Sequence, residues 1–221
     1  MTPLLSARAI TVRYGDRTIL DAIDVEVEAG EAVALVGPNG SGKSTLLRCI
    51  CGLQEPTGGD IVLDDSTLDE RHPDIRRKLA VLMDDIDFFP DLSVVEHLDL
   101  MARAHGSDDP EPIVDAVLHE LGLVEVSGQL PSTLSSGQRR RLLLASVFVR
   151  PRRVLVLDEP EQRLDVEGVA WLGDRLLAEK AKGVAVLLAS HDQALVEKVC
   201  DRVITLGRKA SEQAEPISDA T

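Results

Sequence analysis

Between Ala32 and Leu47 the chain reads AVALVGPNGSGKSTLL: an unbroken apolar run, a glycine-rich loop and the start of a helix. A continuous apolar run of this length is what a strand covered on both faces requires. Residues 37–45, GPNGSGKST, fit the Gly-x-x-x-x-Gly-Lys-Ser/Thr pattern in the place its mechanism demands, after a strand and before a helix. Gly40 and Gly42 permit tight turns and close backbone approach, so that amide hydrogens surround a phosphate. The following helix presents its positive end to the same anion. Lys43 is placed to reach β- and γ-phosphates and the Ser44 hydroxyl to sit on magnesium. The nine residues Gly37, Pro38, Asn39, Gly40, Ser41, Gly42, Lys43, Ser44 and Thr45 are therefore the candidate phosphate site. Ordinary glycine turns are a weak alternative to so full a match.

The rest of the chain alternates around this unit. ITVRYG and TILDAIDVEVEAGE read as strands, with Ile19, Ile23, Val25 and Val27 at strand-like intervals, and GGDIVLDD as another. Residues 65–78 read as polar loop. After Pro90 the composition changes: SVVEHLDLMARAHG is an amphipathic helix, and IVDAVLHELGL a second with Ile113, Val117, Leu118 and Leu121 on one side. From Arg153 strands and helices alternate again through VLVLD, EGVAWLGDRLLAEKAKG, VAVLLAS, DQALVEKVC and RVITLG. This pattern predicts one domain over residues 1–207 with a helical lobe at about 90–145. The tail, residues 208–221, lacks a periodic apolar face and is expected to be mobile. No internal repeat is present.

Composition excludes some partners. The chain of 221 residues carries 24 basic and 38 acidic side chains, a net charge of -14, and only 2% aromatics. That balance disfavours nonspecific binding to nucleic acid or anionic lipid, and the scarcity of aromatics disfavours base stacking. The longest apolar stretches, VAVLLA and RRLLLASVFV, fall far short of the roughly 20 residues that span a bilayer, and no signal peptide stands at the start. Cys49, Cys51 and Cys200 are read as reduced and at least partly buried, and the protein as cytoplasmic.

The stretch VLVLDEPEQRLD, residues 154–165, supplies the acids that phosphate chemistry needs. Asp158 ends a buried strand, where it can hold magnesium through water opposite Ser44. Glu159, one residue on, can orient the water that attacks the γ-phosphate, an attack that gains only from alignment with the leaving oxygen.

LSSGQRRRLLLASVFVRPRRVLVLDEP resembles the nucleotide-binding subunits of ATP-binding cassette transporters, in which a Leu-Ser-x-Gly-Gln signature precedes the acidic strand at this spacing. The resemblance covers roughly residues 4 to 207. It implies an α/β fold, a P-loop NTPase core with an N-terminal antiparallel β subdomain and an inserted helical subdomain. It also implies ATP and Mg2+ as ligands and an ATPase that powers a separate membrane permease. Carried over one at a time, Tyr14 matches the aromatic that stacks on adenine, Asp165 the loop that crosses to the opposite subunit, and His191 the switch histidine near the γ-phosphate. Lys43, Glu159 and His191 become the catalytic set. The signature residues Ser135, Ser136, Gly137 and Gln138 cover ATP held by the other subunit, so the ATP-bound state is a head-to-tail homodimer with two composite sites. The implied partner is an integral membrane permease with basic cytoplasmic loops, to which an acidic chain is suited, and no nucleic acid. The chain would then lie peripherally on the cytoplasmic face of the membrane. The wording TVRYG, FFPDLSVVEHL and LSSGQRRRL looks most like exporter-associated subunits.

Two departures from that pattern stand out. Registering Phe89-Pro90 and Ser93-Val94 on the family's wording puts Asp84 where a glutamine normally senses magnesium and γ-phosphate; a shift of one residue would put Met83 or Asp85 there. Aspartate is a hard oxygen ligand, so Asp84 joins Ser44 and Asp158 as a candidate metal group, but it is shorter and charged. In EQRLD, Glu161, Gln162 and Arg163 stand where small or polar residues usually precede Leu-Asp. Arg163 either pairs with an acid across the subunit contact or edges a solvated loop. Two other functions remain open at this level: a soluble cassette ATPase acting as a mechanical or regulatory module, and an ATP-binding interaction protein with low turnover.

Overall fold

The structure, a computed structural model, describes residues 3–68, 72–83 and 87–207. Asp84 and the tail from residue 208 lie outside them.

The chain opens with a hairpin, β1 (Leu5–Tyr14) and β2 (Arg17–Val27), whose register closes at the pair Tyr14 and Arg17. Gly15 takes a φ of 56° in the tight turn, which leaves Tyr14 at the hairpin tip. β3 (Ala32–Val36) leads through the glycine-rich loop to α1 (Lys43–Ile50), and β4 (Gly58–Leu63) and β5 (Ser66–Thr67) follow. Next come α2 (Pro73–Lys78), β6 (Leu79–Leu82) and the helices α3 (Val94–Ala104), α4 (Glu111–Glu120) and α5 (Ser136–Phe148). The remainder is β7 (Val154–Asp158), α6 (Val166–Ala181), β8 (Ala185–Ala189), α7 (Gln193–Val199) and β9 (Arg202–Thr205).

These strands form two sheets among the described residues. An antiparallel sheet runs β2-β1-β4-β5, and a parallel sheet runs β6-β7-β8-β3-β9. The parallel sheet explains why its inner strands β3, β8 and, up to Asp158, β7 are apolar at every position. Ala32, Leu155, Leu157, Val186 and Leu188 pack into the core shared with the helices α3–α6. Their alternates Val33, Leu35, Val154, Val156 and Leu187 pack into the core shared with the antiparallel sheet and α1. A period of two that feeds two cores leaves no polar face.

The helical lobe inserts between β6 and β7, and α5 packs back on β6 and α3. α3 begins at a capping box, in which Ser93 and Glu96 satisfy each other's backbone donors. The stretch 65–78, expected as loop, instead contains β5 and α2. His72 accepts from the Asp74 N–H, the prolyl residue takes the first helical turn, and buried Ile75 anchors the segment. A helix of six residues shows no periodicity to read. In α4 the buried positions are Val114, Val117 and Leu118 with Leu121 following, whereas Ile113 is 36% exposed. Val117, Leu118 and Leu121 thus face inward as expected, and Val114 takes the place expected of Ile113. All three cysteines are free, and burial pushes the thiols of Cys49 and Cys200 up to about 11 and raises that of Cys51 as well. They stay protonated at neutral pH, which removes the nucleophilic form.

Candidate functional site

Three loops leave the carboxyl ends of three neighbouring strands, β3, β8 and β7, where ligands of open α/β sheets sit. Gly37 begins the first, Ser190 and His191 the second, and Asp158 and Glu159 the third.

The first loop is shaped by its glycines. Gly37 has a φ of 148°, and a Cβ there would lie 2.1 Å from the Leu206 carbonyl oxygen. Gly42 has a φ of 99° and caps α1, and a Cβ there would lie 2.7 Å from Leu20. The loop therefore threads between β9 and the hairpin only without side chains. Lys43 is buried, and its ammonium donates to the carbonyls of Gly37 at 2.8 Å and Pro38 at 3.3 Å. The Ser41 Oγ is buried and has no hydrogen-bond partner among the described residues. A lysine curled over its own loop, an orphaned hydroxyl and the amino end of an eight-residue helix fit a polyphosphate. For magnesium the donor set is the Ser44 hydroxyl and the Asp158 carboxylate. Both are hard oxygen ligands, and this metal keeps waters and takes few protein groups. No cluster of three or more His, Cys, Asp or Glu able to hold a metal occurs among the described residues.

A cleft of about 580 Å³ joins the parts. Tyr14, 58% exposed at the hairpin tip, lines it together with Gly42, Lys43, Ser44, Thr45 and Glu159. Tyr14, expected to stack on a base, is thus on the same cavity as the phosphate loop.

Glu159 is held by backbone and side chain. Its φ is 46°, a left-handed conformation uncommon for a residue with a side chain, and its N–H donates to the Ala189 carbonyl at 2.8 Å. Its Oε1 lies 3.2 Å from the His191 Nε2, and its Oε2 accepts from the Gln162 side-chain amide. Glu161 reaches β8's end, accepting from the Ser190 hydroxyl and the His191 N–H. The guanidinium of buried Arg140, on α5, donates to the carbonyls of Asp158, Glu159 and Pro160. Arg140, Glu161 and Gln162 were not among the expected site residues. Their partners are backbone groups or residues up to 30 positions away, which no spacing pattern announces.

The signature does not line the cleft. Ser135 caps α5 by accepting from the Gln138 N–H at 3.3 Å, while the Gln138 side chain accepts from the Ser135 N–H at 2.9 Å. This capping box leaves Ser135 and Ser136 exposed at the helix's amino end and Gly137 close to the Arg163 carbonyl. Asp165 caps α6, accepting from the Gly168 N–H at 2.8 Å, and pairs with Arg141 at 2.9 Å. The Gly168 N–H, with Arg141 adding, holds its carboxyl below the usual range. Arg163 is exposed, with a φ of 61°. Asp84 lies outside the described residues.

A model of the ABC transporter family matches residues 20–162. The chain belongs to the ABC transporter family.

Two curated relatives and one solved structure frame this ATP-binding subunit. The Nod factor export ATP-binding protein I of Cupriavidus pinatubonensis is 33% identical over 216 residues, covering 96% of this chain and 66% of that protein. The Fe(3+) ions import ATP-binding protein FbpC of Streptomyces avermitilis is 36% identical over 210 residues, covering 92% of this chain and 59% of that protein. The chain thus spans less than two thirds of either relative's length. A solved ATP-binding subunit of an ABC transporter superposes with a TM-score of 0.86 at 31% identity, over 92% of this chain and 85% of that one. The α/β fold, with its N-terminal β subdomain and helical insertion, is that of the family. No helix among the described residues is long and apolar enough to cross a membrane.

Proposed function

We propose that the chain binds MgATP between two copies of itself and hydrolyses it to drive a separate membrane permease. The observation that supports this best is the cleft that joins Tyr14, the phosphate loop and Glu159 while excluding the signature of the same chain. A single copy offers the base-stacking, phosphate and water-orienting groups, and a second copy must bring Ser135 and Gly137.

In this reading Tyr14 stacks on adenine, and the amides of residues 40–45 with Lys43 hold the β- and γ-phosphates. Mg2+, when bound by Ser44, Asp158 and the nucleotide, neutralises charge on the phosphate oxygens, and Asp84 contributes to that site. Glu159 turns from His191 and Gln162 to orient water against the γ-phosphate, and His191 follows it toward the same group. The α5 amino end of the partner copy faces the γ-phosphate, so its loss on hydrolysis removes the anion that bridges the two copies and lets them part. Asp165 at the start of α6 lies in the contact. The acidic surface favours a permease with basic loops on the face of the membrane where ATP is available, and disfavours nucleic acid. The proposed chemistry is the same for either direction of transport, and an export and an import relative match about equally.

The test separates binding from chemistry. Lys43→Ala should weaken ATP binding on the order of a hundredfold, because the phosphate charge is no longer countered. Glu159→Gln should keep native affinity, accumulate as an ATP-bound dimer and lose roughly a hundredfold or more in phosphate release. Native turnover in the Glu159→Gln chain would remove the water-orienting role.

A further inference from the structure

The loop after β7 departs from the family's wording at Glu161 and Gln162, and both side chains reach the catalytic pair. The Glu161 Oε1 accepts two hydrogen bonds from the end of β8, from the Ser190 hydroxyl at 2.6 Å and from the His191 N–H at 3.1 Å. Ser190 is buried, and its Oγ accepts in turn from the Asp192 N–H at 3.0 Å. One carboxylate therefore organises three consecutive residues, of which the middle one is His191. On the other side of the same contact, the Gln162 amide donates to the Glu159 carboxylate that meets the His191 ring.

Hydrogen bonds to an ionised acceptor are roughly twice as strong as neutral ones, and a group that orients a reacting side chain acts through its placement. His191 itself is half-exposed, so its position depends on its backbone more than on packing around its ring.

We propose that Glu161 is a positioning residue for ATP hydrolysis: it pins the backbone at Ser190 and His191, so that the imidazole is delivered to Glu159 and the γ-phosphate. The proposal rests on the reading that Glu159 orients the attacking water and His191 faces the γ-phosphate. Glu161 touches neither nucleotide nor water in this scheme. It fixes the end of β8 by hydrogen bonds, and Gln162 donates to the Glu159 carboxylate.

The experiment compares the full chain with its Glu161→Ala and Glu161→Gln variants at saturating and limiting MgATP. Glu161→Ala withdraws the acceptor, and kcat should fall roughly ten- to a hundredfold, the size of a misplaced catalytic group, with KM for ATP unchanged within about twofold. Glu161→Gln keeps a carbonyl acceptor for both donors and should return kcat to within about threefold of native. In a His191→Ala background Glu161→Ala should add no further loss, because the group it positions is gone. Where Glu161→Ala lowers the melting temperature, Ser190→Ala removes the same hydrogen bond from the other side and should lower kcat in the same direction. Native kcat in Glu161→Ala, failure of Gln to rescue, or an equal loss in the His191→Ala background would each overturn the proposal. Glu159→Gln is measured alongside: its hydrolysing at the native rate would overturn the reading of the site itself and this proposal with it, whereas its failure to hydrolyse beside a native-like Glu161→Ala overturns the positioning role alone.

Discussion

The loop after β3 and the loop after β7 leave the same edge of one sheet, yet they are held in opposite ways. The first is shaped by the absence of side chains: Gly37 and Gly42 pass where a Cβ would meet the Leu206 carbonyl oxygen or Leu20. The second is shaped by the presence of side chains, with Arg140 on three consecutive carbonyls, Glu161 on the end of β8 and Arg141 on Asp165. In the proposed reading the first loop cradles phosphate and must present bare amides, which glycine allows. In the same reading the second carries Glu159 toward that site and the start of α6 toward the other copy, and such a loop must be steered by side chains anchored elsewhere.

The sharpest way to break this comparison is to put a methyl group on the first loop. Gly37→Ala places a Cβ against the backbone of Leu206 in a left-handed conformation, so neither side can yield by rotating. The cost should be about 3 kcal/mol, seen as a melting temperature lowered by about 10 °C, together with loss of ATP binding. A smaller effect is expected in the second loop. Arg140→Met keeps the buried volume but abandons three carbonyls, and should cost about 2 kcal/mol. Its turnover should fall roughly tenfold while ATP affinity stays near native, since the cradle is untouched. Equal loss of ATP binding in both variants would show that the two loops are one unit and dissolve the contrast.

The same contrast explains what could be read without a structure. Gly37 to Thr45 was legible because backbone function is written in residue type, and the strands β3, β7 and β8 because two cores demand apolar residues at every position. Asp158 and Glu159 were placed by their position after such a strand, and His191 by the family resemblance. β6 and α2 were not legible: a strand of four apolar residues and a helix of six residues are too short for a period to show. On α4 Val117, Leu118 and Leu121 were read correctly and only Ile113 was not, because Ile113 and Val114 are both apolar and only packing decides between them. The inward roles of Arg140 and Glu161 were not read, because an arginine in a basic run and a glutamate in an acidic loop look solvated until their partners are seen. The departure EQRLD was visible as a departure, but not that Glu161 turns inward to Ser190 while Arg163 stays exposed.

The central claim is that each site needs the phosphate loop of one copy and the signature of another, and subunit mixing tests it most directly. Lys43→Ala chains lack a working phosphate loop, and Ser135→Arg chains block the amino end of α5. Neither alone can complete a site. Mixed in equal amounts under conditions that exchange subunits, half of the dimers are hybrids, and two-fold symmetry gives each hybrid one site with both halves intact. Hydrolysis should rise from near zero to roughly a quarter of the native rate. A mixture no more active than its parts, or a Ser135→Arg chain that hydrolyses ATP as the native chain does, would contradict the shared site.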